Sequence, residues 1–388
     1  MALLLKGARV VTPGKDLGVT TLRLEDGLVA GIGADAGSAA ADTVLDAEGL
    51  TALPGFVDIH THGRSGYDYS DATDEAFDVM GRDRLTDGVT GFLATGLTLP
   101  EENLAEMCRC AARYAEKGDG ATCLGVHLEG PFFNPACAGA QNPDYLKKPD
   151  IALVDRLNAI FPVRKVSLAP ELEGSVEFIR ALVSRGIVAS GGHSSADYDC
   201  FRAAYAAGMT HGTHFCNVVT PLHHLRPGFV GGGLLAKDFF IEMICDGVHL
   251  SDPMIEILVR MKGADRTMVI TDSIRAGGLS DGEFSLGGLP VVVAGGCARL
   301  KTDDGSVGAV AGSTSVYSAC FRRYAHVSGL PLEEAVKAAG YNQLRSLGIA
   351  DRGEIAPGQV ADIVLVDAEL EPRKTIVSGR VAWESDAV

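Results

Sequence analysis

Apolar residues along this chain gather into short blocks separated by longer stretches in which apolar and polar positions recur with a helical period. Blocks suited to strands buried on both faces occur near residues 56–60, 91–95, 123–128, 165–169, 187–192, 209–214, 240–245 and 267–271. Between them lie helical stretches such as "PEENLAEMCRCAARYAEKG", "GSVEFIRALVSRG" and "SDPMIEILVRMKG", and "PLEEAVKAAGYNQLRSLG" follows the last block. Eight strand-then-helix units predict an α/β chain folded as a closed (β/α)8 barrel of the TIM type. Its active site would lie at the C-terminal ends of the strands. An open doubly wound sheet is the alternative, but no glycine-rich phosphate loop follows the first block.

The two ends of the chain have a different texture. "ALLLKGARVVT", "TTLRLEDGLVAGIG" and "DTVLDAEGLTALPG" at the start, and "GEIAPGQVADIVLVD" and "RKTIVSGRVAWE" at the finish, read as short strands joined by turns. Each end is too small to fold alone. We expect residues 1–54 and 353–388 to pair into one small β-sandwich domain, leaving residues 55–352 as the barrel.

The barrel reading carries its own test, because reactive groups should fall just after the apolar blocks. His60 and His62 follow the first in "PGFVDIHTHG", where alternation puts both on one face. Glu129 follows the third, His193 the fifth, His214 the sixth, His249 the seventh and Asp272 the eighth. Taken singly, each histidine is better read as a hydrogen-bonded core or loop residue. Imidazoles and a carboxylate gathered at the strand ends around one pocket are the donor set of zinc or a similar first-row ion. His127 shares the face of Glu129 and is expected either at the metal or behind its ligands. His211 is expected to support His214, and His326, in "FRRYAHVSG", to be structural or at the surface.

Composition narrows the partners. The 388 residues, 46% hydrophobic and 22% charged, suit an ordinary globular enzyme. A formal charge of −16 disfavours nucleic acid and anionic membranes, so an anionic substrate would need a local cationic pocket. Nine cysteines without a regular framework suggest reduced thiols. The start, "MALLLKGARVV", has no basic leader before a long apolar segment, and no run approaches the roughly 20 apolar residues of a membrane span. A cytoplasmic protein is expected.

Taken in order, "PGFVDIHTHG", "HLEGPF", "GGHS", "THFCN", "DGVHL", "TDS" with "DGEFSLGG", and the late "ADIVLVD" resemble the amidohydrolase superfamily. Within it they resemble the branch of N-acetylglucosamine-6-phosphate deacetylases. The HxH pair points only to the superfamily, whereas "HLEGPF" with a downstream "NP" is specific to the branch. Other branches bridge two metals with a modified lysine at the end of strand 4. Here Lys165 lies at the beginning of that strand, which leaves Glu129 as the anionic ligand. The resemblance implies that Glu129, His193 and His214 hold the principal metal. With His60 and His62 retained, it further implies one or two divalent ions per subunit, zinc foremost and iron or manganese as alternatives. Asp272 would act as general base and then general acid in amide hydrolysis.

Two positions depart from the branch. Where its members carry a histidine contacting the acyl group, twelve residues after the glutamate, this chain has Gln141, which donates a hydrogen bond but carries no charge. Where they read "HHREPG", with the arginine reaching the substrate phosphate, sometimes across a subunit interface, this chain reads "HHLRPG". Leu225 takes the arginine position and Arg226 follows it. Gln141, Asn217, Val218, Arg226 and His249 are the expected substrate contacts, and His223 and His224 are either contacts or an exposed loop pair. The expected substrate is N-acetylglucosamine 6-phosphate, with the galactosamine epimer, another small N-acyl compound, or a non-catalytic binding role as alternatives. A homodimer is implied by the resemblance alone.

Overall fold

A computed structural model describes residues 2–37, 41–302 and 306–386. Its central element is an eight-stranded parallel sheet in strict chain order: β1 (Phe56–Asp58), β2 (Val89–Gly96), β3 (Thr122–Glu129), β4 (Val163–Leu168), β5 (Val188–Gly191), β6 (His211–Gly212), β7 (Phe240–Ile244) and β8 (Thr267–Ile270). Each of the eight predicted blocks supplies one strand. Just beyond their ends β8 returns to β1, where Asp272 N–H donates to the His60 carbonyl at 2.9 Å and His62 N–H to the Ser273 carbonyl at 2.8 Å. The sheet is thus a nearly closed barrel. Helices such as Glu101–Lys117, Ser175–Ser184, Asp252–Lys262 and Tyr317–Ser328 cover its outside, and Phe92, Val126, Val166, Ile241 and Val269 face them in the main core.

The last predicted helix is broken. "PLEEAVKAAGYNQLRSLG" forms helical pieces at Leu332–Ala335, Val336–Ala339 and Tyr341–Ser346. Gly340 interrupts them where the chain passes so close to β1 that an added Cβ would lie 3.1 Å from the Gly55 carbonyl. β6 is the shortest barrel strand because the chain leaves extended geometry at once: His214, Cys216 and Val218 all have positive φ.

The termini join in one mixed eight-stranded sheet. Thr51–Pro54 pairs antiparallel with Ile363–Val366, so the end of the chain is bound directly to the segment entering β1. The long strand Ala2–Thr12 pairs along one side with Lys15–Glu25 and on the other with two strands in succession, Thr43–Asp46 and Thr51–Pro54. Leu5, Val10, Leu22, Leu24, Ile363, Leu365 and Ile376 form a separate core.

One element lies outside the sequence expectations. Between β8 and the helix Tyr317–Ser328, an antiparallel meander runs through Gly282–Leu286, Leu289–Ala294, Cys297–Lys301 and Val307–Val310. Leu286, Val291 and Val293 pack on Leu97, Ile274 and Ala276, which seats the meander over the C-terminal mouth of the barrel.

Candidate metal centre

The mouth is built from residues that end strands. His60 and His62 lie just past β1, Glu129 ends β3, His193 follows β5, His214 follows β6 and Asp272 follows β8, and all six are buried. Asp58, fully buried at the end of β1, accepts from His60 N–H at 3.2 Å and from the Thr271 hydroxyl at 2.6 Å, tying β1 to β8 under the site. His193, His214 and Asp272 adopt φ of 48°, 30° and 49°, left-handed conformations that are costly without glycine and that cluster at functional sites.

Two overlapping donor groups result: His60, His62, Glu129 and Asp272 in one, and Glu129, His193 and His214 in the other, with the atoms of each group within 4.8 Å of one another. Glu129 Oε1 lies 3.1 Å from both His60 Nε2 and His214 Nε2 and 3.5 Å from His193 Nε2. Its Oε2 is 3.0 Å from His62 Nε2, and Asp272 Oδ1 is 3.3 Å from the Nε2 of both His60 and His62. The Nε2 atoms of His193 and His214 are 3.0 Å apart.

These separations fit a metal. Zinc bonds of 2.0–2.1 Å arranged tetrahedrally put neighbouring donor atoms about 3.3 Å apart, the spacing seen here. His60 Nε2 and Glu129 Oε1 are both buried without a well-directed hydrogen bond, as donor atoms meant for a shared ion would be. Electrostatics agree. Burial disfavours the His60 imidazolium, but the charges of Glu129, Asp272 and Glu242 outweigh it and lift the pKa to about 9; His62 is raised well above the ordinary value against the same burial penalty. Burial would raise Glu129 and Asp272, yet the surrounding imidazoles hold both below the usual carboxylate range. The two buried carboxylates thus call for positive charge beside them, carried by protons on the imidazoles that a bound cation would displace.

A polar layer underlies it. Glu242, in the middle of β7, accepts from His60 Nδ1 at 2.9 Å and from His214 N–H at 3.1 Å, and pairs with Lys165 of β4. His127 bonds through Nε2 to the Ser167 hydroxyl at 2.8 Å and packs edge-on at 4.6 Å from the His60 ring, behind the cluster and not at its centre. His211 bonds to Thr210 and stacks on Phe240. Glu242 had a signal in the sequence, since it is the one charged residue in "FIEMI"; a charge inside a buried strand needs a partner.

Above the donors lies a cavity of about 170 Å³. Gln141, Asn217, Val218 and His249 line it, together with Leu97, Ala140, Leu286 and Val310. Gln141 is engaged at both ends: its amide nitrogen donates to Glu129 Oε2, and its oxygen accepts from Thr98 N–H at 2.7 Å. The Asn217 amide donates to the His214 carbonyl at 3.1 Å. His249 is held through Nδ1 by Asp246 at 2.8 Å, which raises its pKa against the effect of burial. Arg226 is not brought to this cavity. It sits with His223 and His224 on an exposed turn, beside Leu225, which is 76% exposed, and lines a separate hollow of about 650 Å³.

The sequence pattern of the amidohydrolase family matches residues 51–382. The chain is 35% identical over 345 residues to the N-acetylglucosamine-6-phosphate deacetylase of Lysinibacillus sphaericus, covering 88% of each chain. It is 34% identical over 386 residues to the N-acetylgalactosamine-6-phosphate deacetylase of Escherichia coli O157:H7, covering 98% of this chain and 100% of that one. Among solved structures, a mutant N-acetyl-D-glucosamine-6-phosphate deacetylase from Mycobacterium smegmatis, in complex with N-acetyl-D-glucosamine-6-phosphate, superposes with a TM-score of 0.90. It is 34% identical, over 98% of this chain and 99% of that one.

Proposed function

The chain belongs to the amidohydrolase family, and on that premise we propose that it hydrolyses the acetamide of N-acetylglucosamine 6-phosphate, releasing glucosamine 6-phosphate and acetate. The observation that carries this reading is the pair of donor groups sharing Glu129 at the floor of the cavity, with Asp272 at its edge. Relatives bearing the deacetylase name at this identity supply the substrate class.

In this reading Glu129, His193 and His214 hold the principal metal, and His60 and His62, with Glu129 and Asp272, hold a second. When bound, a divalent metal, for which zinc suits the imidazole and carboxylate donors, lowers the pKa of water toward about 7 and polarises the acyl oxygen. Asp272, held ionised by its neighbours, takes a proton from the attacking water as the new C–O bond forms. It returns that proton to the amine nitrogen as the C–N bond breaks. Asn217 and His249 orient the sugar, Gln141 holds Glu129 in place beside the acyl group, and Leu97, Ala140, Leu286 and Val310 keep bulk water from the acyl end of the cavity.

The barrel, residues 55–352, carries the chemistry, and residues 1–54 with 353–388 brace it. We further assign a cytoplasmic homodimer. All nine cysteines are free, which suits a reducing compartment, and no helix among the described residues is long and apolar enough to cross a membrane. In this reading the turn with Leu222, Leu225 and Arg226, exposed in the single chain, meets a second copy, and Arg226 reaches the phosphate of a sugar bound there.

A substrate panel tests this reading. Amine release should be fastest with N-acetylglucosamine 6-phosphate, and Arg226→Ala should raise KM for the phosphorylated sugar while leaving the unphosphorylated one unchanged. Preference for N-acetylgalactosamine 6-phosphate, the substrate named for the Escherichia coli relative, would reassign the sugar. Turnover confined to unphosphorylated sugars would overturn the phosphate assignment.

A further inference from the structure

Below the donor groups, Lys165 of β4 and Glu242 of β7 form an ion pair across the barrel interior, and both side chains are fully buried. Removing an ammonium and a carboxylate from water costs about as much as their mutual attraction returns. Apolar residues of the same volume are often equally stable there. Stability alone therefore does not account for the pair.

Its geometry points elsewhere. Glu242 Oε1 faces Lys165, while Oε2 accepts from His60 Nδ1 at 2.9 Å and from the backbone N–H of His214 at 3.1 Å. One carboxylate oxygen thus fixes a member of each donor group: the His60 ring directly, and His214 through a main chain held at φ of 30°. We propose that Lys165 and Glu242 are positioning residues that set both donor groups from below, Glu242 fixing the His60 proton on Nδ1 and the His214 backbone, and Lys165 fixing Glu242.

The consequence lies at Nε2 of His60. With Nδ1–H committed to Glu242, Nε2 is the ring nitrogen left for a metal at the mouth, 3.1 Å from Glu129 Oε1, and metal binding displaces the proton it would otherwise carry. A carboxylate on the far side of a ligating imidazole also makes the ring a better donor, and changing such partners typically costs about 10- to 100-fold in metal affinity. Lys165 supplies the counter-charge that lets a carboxylate stand in this layer. The inference rests on the metal reading given above.

The test uses the full chain and zinc alone as the probe. Lys165→Met and Glu242→Gln each leave one buried charge without its partner, so the double variant K165M/E242Q is made as well; it removes both charges and leaves an amide oxygen facing His60. The metal-stripped double variant should melt as the wild type does, yet its zinc Kd by chelator competition should be weaker by about 10-fold or more. In zinc-loaded wild type labelled with 15N-histidine, the His60 signals should show the proton on Nδ1. A folded double variant with the wild-type zinc Kd would overturn the proposal, and so would a His60 proton on Nε2 in the zinc-loaded wild type, a readout independent of any variant's folding. Wild type that binds zinc while the double variant shows no loss overturns this inference alone; wild type that takes up no zinc overturns the metal reading with it.

Discussion

Asp272 shows how much of the chemistry rests on single backbone settings. It follows β8 by two residues, its N–H is bonded to the His60 carbonyl at 2.9 Å, and it holds a left-handed φ of 49° that only a well-determined surrounding sustains. Asp272→Asn keeps the shape and removes the base. We expect kcat to fall by about 10²- to 10⁴-fold with the melting temperature held, whereas a loss under about tenfold would remove Asp272 from the proton path. At this scale the clustering was legible, because His60, His62, Glu129, His193, His214 and Asp272 each stand at or just beyond the end of an apolar block, and the structure brings them together. Gln141 was legible as a polar group near the site, but its attachment to Glu129 and Thr98 was not, since that depends on how the loop after β3 folds back. Arg226 shows the same limit from the other side: a one-residue shift in a loop left its direction open, and the structure turns it to the surface.

The elements explain which parts of the fold could be read. Parallel strands covered on both faces must be apolar throughout, so all eight barrel strands announced themselves as blocks. The meander over the mouth is half exposed and alternates, and its signal, "LGGLPVVVAGG" with two glycine turns, is the ordinary mark of hairpins. Its position over the cavity follows only from its packing on Leu97 and Ile274. The join between β8, the meander and the following helix passes through Gly312, with φ of 60°, where an added Cβ would lie 2.6 Å from Ile274 Cγ2 and 2.8 Å from the Asp272 carbonyl oxygen. Neither neighbour has room to retreat. Gly312→Ala should therefore destabilise the protein by about 1–3 kcal/mol, read from the denaturant midpoint, and lower kcat by disturbing Asp272. An unchanged midpoint would show that this turn does not brace the site.

Across the whole molecule, the two ends of the chain are bound to each other: Thr51–Pro54 leads into β1 and pairs with Ile363–Val366. The first barrel strand, and with it His60 and His62, is thereby anchored at its base by the other end of the chain. The overall charge of −16 is the reverse of what a phosphorylated substrate favours, which is why the cationic turn carrying Arg226 matters to the proposed dimer. The account as a whole stands on a divalent metal held by two donor groups that share Glu129. The direct measurement is to strip the protein of metal, add back zinc in steps, and follow glucosamine 6-phosphate release and heat stability together. Turnover should be near zero when stripped and return with the first one or two equivalents per chain, and zinc at 100 times its Kd should add about 2.7 kcal/mol of stability. Full turnover by the stripped protein, or zinc uptake with no release of the amine, would contradict it.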